Sequence, residues 1–407
     1  MIFGFAVITA VISLHDGMSQ SVYRAAENHY AGHIFILGFS KKGGGHIIVE
    51  KDKEIIEAVH EAELSPVKIV RRTNYFDKGV LYFNGTAVRQ KYVYGVDWNT
   101  EKEDFLRLDI SSGNVESFKT PNSIIISKPV AERLRARIGD EIILEVLTRT
   151  GQKNTGKFIV KAIVDDTSIF GYYKCFVHRR TLNSLLGYEP DEYSSLGLFF
   201  DSLRGSWEKN EKLYTALDKR IRMGTVIRNK NELTRQMDAH WEGVLYLTFP
   251  LHVYVSQVAD LLTALEAVSY FFYFMMILII LLSLFVTYRL ILRERTVEMG
   301  TMRVIGIRSR DVQVVLILEM GYVFILAILI GLGVSKIIVL LLRLFPYSSI
   351  PGFAIFLQKG KLVADYSLQS IGINIAILFL ILLPAVWVPA FSASRRPLSD
   401  SIRGEKK

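Results

Sequence analysis

The stretch Arg289–Glu319, RLILRERTVEMGTMRVIGIRSRDVQVVLILE, decides how the rest of the chain is read. It is a charged interruption between two apolar runs. No charged residue stands between Glu266 and Arg289, and Val312 to Leu342 is nearly all Ile, Leu, Val, Phe and Gly. Each run is long enough to cross a bilayer as a helix. Between them lie six arginines (289, 293, 295, 303, 308 and 310) against Glu294, Glu298 and Asp311. An excess of positive charge in a short connection places it on the cytoplasmic side. VEMGTMRVIG is expected to form a short helix closed by Gly306, where a residue without Cβ accepts the left-handed cap. Ser309 is expected to cap the next helix, with Asp311 complementing its dipole. Five apolar side chains (Val297, Met299, Met302, Val304 and Ile305) are mixed with these charges. A merely solvated connector has no use for them, so they are expected to meet headgroups or a protein groove.

Working outward, the composition sets the class. The chain has 407 residues, half of them hydrophobic, and a mean hydropathy of +0.27. This describes a membrane protein with a large water-exposed part. The net charge is +9, but the connector and the tail from Ser392 supply +3 each. Two thirds of the excess therefore reflects topology, and no nucleic-acid partner is expected. A single cysteine, Cys175, excludes an intrachain disulfide.

Met1 to Leu14 is uncharged and apolar. It lacks the basic start and small-residue cleavage site of a secretory signal. We read it as the outer part of a first transmembrane helix whose amino-terminal start is missing or misassigned. Met18, Val22 and Ala25 continue at helical spacing, so residues 1–31 form a membrane helix and stalk. Residues 32–250 read as an α+β domain. Its strands are HIFIL, HIIVE, VKIVRR, VLYFNG, SIIIS, DEIILEVLTRT and KFIVKAIV. Its helices are PVAERLRARIG, ending on Gly139, and WEKNEKLYTALDKRIRM, with Leu213, Leu217 and Ile221 on one face. Residues 251–407 hold a second stalk (an amphipathic helix with Val258, Leu261, Leu262 and Leu265 that runs straight into the second crossing), three more crossings, a connector helix at 296–307 and the tail. Pro384 and Pro389 interrupt the last crossing and are tolerated where neighbours satisfy the freed carbonyls. The expected fold is thus four transmembrane α-helices with a large extracytoplasmic α+β domain between the first and second, and both termini cytoplasmic.

Candidate chemistry is sparse. GQKNTGK, Gly151 to Lys157, has phosphate-loop spacing. Phe158 stands where the Mg²⁺-holding hydroxyl belongs, and apolar β-rich runs flank it on both sides. It is read as a hairpin loop, not a helix start offering amides to a phosphate. His29 and His33 are four apart, but Gly32 and a following strand end the helix between them, so no metal site is expected. Gly43-Gly44-Gly45 reads as a flexible loop. Glu319 is an intramembrane acid near the interface, expected to snorkel or to pair with a nearby arginine. No nucleophile–base or paired-carboxylate arrangement points to catalysis.

EMGTMRVIG, Glu298 to Gly306, resembles the E-I-G-x-L-R-A-x-G signature of the FtsX-like ABC permeases, where this segment is the coupling helix seated on the ATP-binding subunit. PAFSASRRPLSDSIRGE resembles that family's closing P-A-x-x-A-x-x-x-x-P-x-x-A-L-R-x-E. Three outer segments are similar to the lipoprotein-releasing, LolC/LolE-type branch: DGMSQSVYRAAENHYAGHIFI, VYGVDWNTEKE against G-V-D-P-x-x-E, and SIIISKPVAERLRARIGDEIIL. SIFGYYKCFV lacks the acidic residue often found after the family's F-x-x-G. The resemblance implies a permease with no catalytic residues and no directly bound cofactor, ATP and Mg²⁺ residing on a partner. Val297, Glu298, Met299, Gly300, Met302, Arg303 and Gly306 would meet an ATP-binding subunit dimer. A second permease subunit, identical or homologous, would pair with this one in the bacterial inner membrane, surrounded by lipid. The cargo would be a lipoprotein, handed in some members to a soluble carrier. Its acyl chains would need an apolar cavity, for which Phe5, Ile8, Phe271, Phe272, Phe274 and Ile277 on the first two crossings are the candidates. A MacB-like exporter of small molecules or peptides, and an FtsX-like regulator of a cell-wall hydrolase, share every cytoplasmic feature. A membrane-anchored enzyme would need a catalytic cluster.

Overall fold

The computed structural model describes residues 1–40, 46–165, 173–345, 347, 356–358 and 361–394. It opens with α1 (Ile2–Tyr30), β1 (Ile34–Ser40), β2 (His46–Ile47), α2 (Asp52–Glu61), β3 (Lys68–Phe83) and β4 (Thr86–Val96). Next come α3 (Trp98–Leu106), β5 (Ile110–Gly113), β6 (Ser123–Ser127), α4 (Lys128–Leu134), β7 (Glu141–Leu147) and β8 (Lys153–Val164). β9 (Lys174–His178), α5 (Arg179–Leu186), β10 (Ser195–Phe199), α6 (Ser206–Asp218), α7 (Lys230–Asp238) and β11 (Val244–Pro250) follow. The chain ends in α8 (Leu251–Tyr254), α9 (Ser256–Glu294), α10 (Thr296–Val304), α11 (Ser309–Leu342), the short pair β12 (Leu357–Gln358) and β13 (Lys361–Leu362), and α12 (Leu368–Ser394). It divides into a sheet unit, Val22–Asp260, and a helical unit of Met1–Ser21 with the chain from Leu261 on. The divisions fall inside α1 and α9.

In the helical unit, the four long apolar helices α1, α9, α11 and α12 each have the length and composition to cross a membrane. A backbone in hydrocarbon must satisfy its own hydrogen bonds, and a helix does so within one segment. Ile277, Ile280, Leu284, Tyr288 and Leu292 are buried. Their spacing of three or four residues lays one stripe of α9 against the bundle. Glycines allow close approach elsewhere. A Cβ on Gly331 of α11 would lie 2.7 Å from the Phe5 ring, and one on Gly17 of α1 would lie 2.1 Å from the Val363 carbonyl oxygen. α12 runs through Pro384 and Pro389 without breaking.

The sheet unit is built on β3. Lys68–Arg72 pair antiparallel with β10, which pairs with β1 and so with β11. From Thr73 onward β3 pairs instead with β4, across a bulge between Phe76 and Gly79. The pairings then run β4–β9–β6–β8–β7 and return to β3. The ladder therefore closes on itself. Residues from all six of these strands, among them Leu81, Val93, Ile124, Leu144, Phe158 and Cys175, form one interior core. Val130 and Leu134 of α4 and Leu182 and Leu186 of α5 complete it. A second core lies between the β11–β1–β10–β3 sheet and α2 with α6, and includes Ile55, Val59, Leu213, Leu217 and Ile221.

Three expectations change here. VKIVRR and VLYFNG are one strand, since the bulge absorbs the polar residues between them. PVAERLRARIG stops being helical at Leu134. Arg135 takes the left-handed conformation (φ 57°) and its N–H reaches the Ala131 and Glu132 carbonyls, while the Gly139 N–H already pairs with Val160 of β8. The helices α2, α3, α5 and α7 add to the two read from sequence.

The end of α1 is pressed onto β10. Ala31 is left-handed (φ 61°), and a Cβ on Gly197 would sit 2.0 Å from the Ala31 carbonyl oxygen. Gly197→Ala is therefore expected to destabilise the sheet unit by about 1–3 kcal/mol through overpacking. Chemical denaturation of the full-length protein checks this, and an unchanged midpoint would contradict the packing described. Burial pushes the Cys175 thiol well up, so a maleimide should label the denatured chain and leave the folded one unlabelled.

Candidate functional site

The connector is built from the ends of two long helices. At the close of α9, the Thr296 hydroxyl donates to the Leu292 and Arg293 carbonyls (3.1 and 2.8 Å), satisfying groups that a helix end leaves open. Arg295 (φ −88°, ψ 9°) turns the chain into α10. α10 ends as the sequence suggests. The Ile307 N–H donates to Met302 O and the Gly306 N–H to Arg303 O (3.1 and 3.2 Å), with Gly306 at φ 98°. This pair of bonds is the Schellman arrangement, and only glycine adopts the required left-handed turn without cost. Arg308 is extended and stands at the N-cap of α11, with no side-chain cap. Ser309 is thus already the first helical residue, not the cap expected from its type.

The site residues divide by face. Val297, Glu298, Met302 and Gly306 are exposed, as are Val304, Ile305 and Ile307, while Arg303 is half-buried. Met299, 6% exposed, packs with Leu292, Val312 and Leu316 in the bundle core, and Gly300 is buried beside it. Met299 therefore does not join the outer apolar face. It is the knob that seats α10 against its neighbours, and this inward seat leaves Val297, Met302, Val304 and Ile305 outward. Glu319 meets the Arg295 guanidinium at 2.6 Å, the arginine pairing expected for it. That ion pair ties the α9–α10 joint to α11.

The six cavity candidates are not brought together. Phe5, Ile8 and Ile277 lie in the bundle core, whereas Phe271, Phe272 and Phe274 are exposed. The helical period puts Phe271 and Phe272 on faces away from the inward stripe of Ile277. Phe274, three residues before Ile277, lies at the edge of that stripe and is exposed all the same. The sequence reading missed a polar seam among these helices. Asn374 of α12 is buried. It accepts from Tyr273 (3.2 Å) and donates to Thr9 (3.3 Å), and Ser370 donates to Asp16 (2.7 Å). Asn374, with no other amide, hydroxyl or charged side chain between Ile371 and Phe391, was the available signal.

In the sheet unit, the phosphate-loop spacing falls in the β7–β8 hairpin. β8 begins at Lys153 and pairs with β7 through Leu147, so no helix follows the glycines. His29 and His33 hold protein groups. The Tyr94 hydroxyl lies 2.9 Å from His29 Nε2. His33 Nδ1 accepts from the Phe200 N–H (3.1 Å), which leaves Nε2 to donate to Glu27 (2.7 Å). No group of three or more metal-ligating side chains occurs among the described residues. Asp97 of the VYGVDWNTEKE segment accepts from the Asn99 N–H as the N-cap of α3 (3.0 Å). Its Glu101 is fully buried and ion-paired with Arg72. Gly43-Gly44-Gly45, most of the tail motif and the first part of SIFGYYKCFV lie outside the described residues.

Comparison with known proteins bears on this arrangement. Residues 1–222 match the family described as MacB-like periplasmic core domain, and residues 270–398 match the FtsX-like permease C-terminal family. The second match spans the connector and the three long helices around it. Among solved structures, the chain is similar to the periplasmic region of MacB from Actinobacillus actinomycetemcomitans. There the identity is 13%, with 56% of this chain and 92% of that chain covered, at a TM-score of 0.31. It is also similar to a domain of a putative permease protein from Porphyromonas gingivalis, at 12% identity, 53% and 87% coverage and a TM-score of 0.29. No curated protein matches significantly. A periplasmic-type domain inserted after the first apolar helix, an FtsX-like three-helix remainder and two family matches that between them take in both lead to one conclusion: the chain belongs to the FtsX/MacB family of ABC-transporter permeases, membrane components that serve an ATP-binding partner.

Proposed function

We propose that this permease couples ATP hydrolysis on a separate subunit to the extraction of lipoproteins from the outer leaflet of the cytoplasmic membrane. The carrying observation is the unbroken helix α9 with α10 at its end. The 39 residues of α9 reach about 58 Å, against roughly 30 Å of hydrocarbon. The excess length can serve as a stalk, so a push on α10 is transmitted along a stiff rod instead of being lost in a loop. In this reading, the face formed by Val297, Glu298, Met302 and Arg303, seated by Met299 and Gly300 and closed by Gly306, rests on the ATP-binding dimer. ATP and Mg²⁺ stay on that partner. A second permease subunit, identical or homologous, completes the cavity. The carboxyl terminus lies in the cytoplasm.

The cargo assignment follows from energetics and from the resemblance of the outer segments. Lifting an acyl chain out of the bilayer costs about 0.8 kcal/mol per CH₂, on the order of 12 kcal/mol for a long chain. Diffusion does not supply that, whereas an ATP-driven stroke with an apolar holding surface can. The exposed Phe271, Phe272 and Phe274 of α9 remain candidates for such a surface, formed with the second subunit. A MacB-like export function is the second reading. It is favoured by the match of residues 1–222 to the MacB-like periplasmic core domain.

Depletion of the protein in its native cell, followed by membrane fractionation, separates the two. Lipoprotein release predicts that mature lipoproteins accumulate in the cytoplasmic membrane. A normal distribution between membranes would overturn it and leave export standing. In the complex with its ATP-binding subunit, Gly300→Pro and Arg303→Glu are expected to abolish coupled transport while the protein still inserts. Proline inside α10 costs about 3 kcal/mol of helix, and the charge reversal acts on the surface without touching the core. Normal transport in both variants would show that α10 does not face the ATPase.

A further inference from the structure

The segment that carries the resemblance to the lipoprotein branch places a carboxylate where no solvent reaches. Glu101 is 0% exposed and Arg72 is 3% exposed. Arg72 Nε donates to Glu101 Oε2 at 2.8 Å, and its Nη2 donates to the same oxygen. Its remaining arm, Nη1, donates to the carbonyl of His29 at 2.8 Å. That carbonyl belongs to the last turn of α1, where helix oxygens lack partners and a cation is favoured by the helix dipole. Arg72 is also the residue at which β3 changes partners, from Ser195 of β10 at Arg72 itself to Gly95 of β4 at Thr73.

The surroundings reinforce the same point. The Arg72 guanidinium lies 5.4 Å from the Tyr94 ring and 5.8 Å from the Phe176 ring. Tyr94 also reaches the His29 imidazole. One residue on, Tyr30 stacks on Tyr254 of α8, with centroids 4.0 Å apart and planes 4° from parallel. Tyr254 is two residues short of the start of α9. The ends of both long helices therefore meet at the point that Arg72 holds.

A buried ion pair is a poor way to gain stability, because apolar residues of similar volume usually serve as well or better. Here the mismatch is visible, since Glu101 Oε1 has no hydrogen-bond partner among the described residues. What the pair supplies, and apolar residues could not, is a fixed donor for the end of α1. We propose that Arg72 and Glu101 are positioning residues for transport. Glu101 orients the guanidinium, and the guanidinium latches the C-terminal carbonyl of α1 to the strand shared by both halves of the sheet unit. Displacement of the helix thereby becomes displacement of the sheet. The transport consequence rests on the permease reading above, whereas the latch itself does not.

The test uses the full-length chain with its ATP-binding subunit in lipid nanodiscs. Arg72→Met combined with Glu101→Leu removes the latch and leaves no unpaired charge. Amide exchange at residues 28–31 is expected to rise roughly tenfold, as for a locally released helix end, with residues 123–127 of the closed ladder unchanged. Transport is expected to be lost while basal ATP hydrolysis persists. Unchanged exchange at 28–31 would overturn the latch. Faster exchange with normal transport would overturn the positioning role, leaving the permease reading intact. Failure of the unsubstituted complex to move any lipoprotein would count against the lipoprotein cargo alone and leave the latch to the exchange measurement. Should the double variant loosen the whole sheet unit, Arg72→Lys decides. A lysine keeps the charge but cannot reach carboxylate and carbonyl together, so exchange must still rise at 28–31 only, and no rise there overturns the proposal.

Discussion

A peptide group in hydrocarbon has no water to bond, and the arrangement of this permease follows from that constraint. It makes unbroken helices the way through a membrane, and four helices among the described residues have the length and composition for it. Beyond its apolar portion α9 continues without a break back to Ser256. An element made continuous for reasons of hydrogen bonding is also stiff. On the proposed reading, force transmission would need only a firm attachment at each end. At one end the attachment is the α10 connector, pinned by Met299 in the bundle core and by the Arg295–Glu319 pair. At the other it is the cluster of His29, Tyr30, Arg72 and Tyr254.

The two attachments differ in chemistry for a physical reason. The Arg295–Glu319 pair is more than two-fifths exposed on both sides, so water and headgroups screen it, and its contribution is modest. The Arg72–Glu101 pair lies in a medium where charge separation is expensive, and removing one partner of such a pair typically costs about 3–5 kcal/mol. The exposed joint therefore sits at the connector and the dry one at the end of α1.

What the sequence made legible was whatever is encoded locally. Four apolar lengths, a basic connector and a glycine that must be left-handed are each written in a few consecutive residues, and the structure has all of them. So is the Glu319 pairing, because an acid at the edge of an apolar run must find a cation. The orientation of α10 was not legible, since a nine-residue helix with apolar residues on several faces is turned by its neighbours. Met299 faces inward because Val312 and Leu316 wait there. The closed ladder was hidden for a similar reason. Asp77, Lys78 and Gly79 look like a loop, and only pairing with β4 and β7 on either side keeps β3 running through them. Glu101 was visible as a motif residue, but its burial depends on Arg72, 29 positions away in sequence. The helix α2 could have been read, with Ile55, Ala58 and Val59 at helical spacing behind two acids in its first turn.

The sharing of β3 by both halves of the sheet unit has a consequence for how the protein comes apart. One half cannot lose its order without stripping a partner from the same strand that the other half is built on. The unit should accordingly melt in a single cooperative transition, not lobe by lobe. Were a load applied at the end of α1, it would meet the resistance of two hydrophobic cores at once.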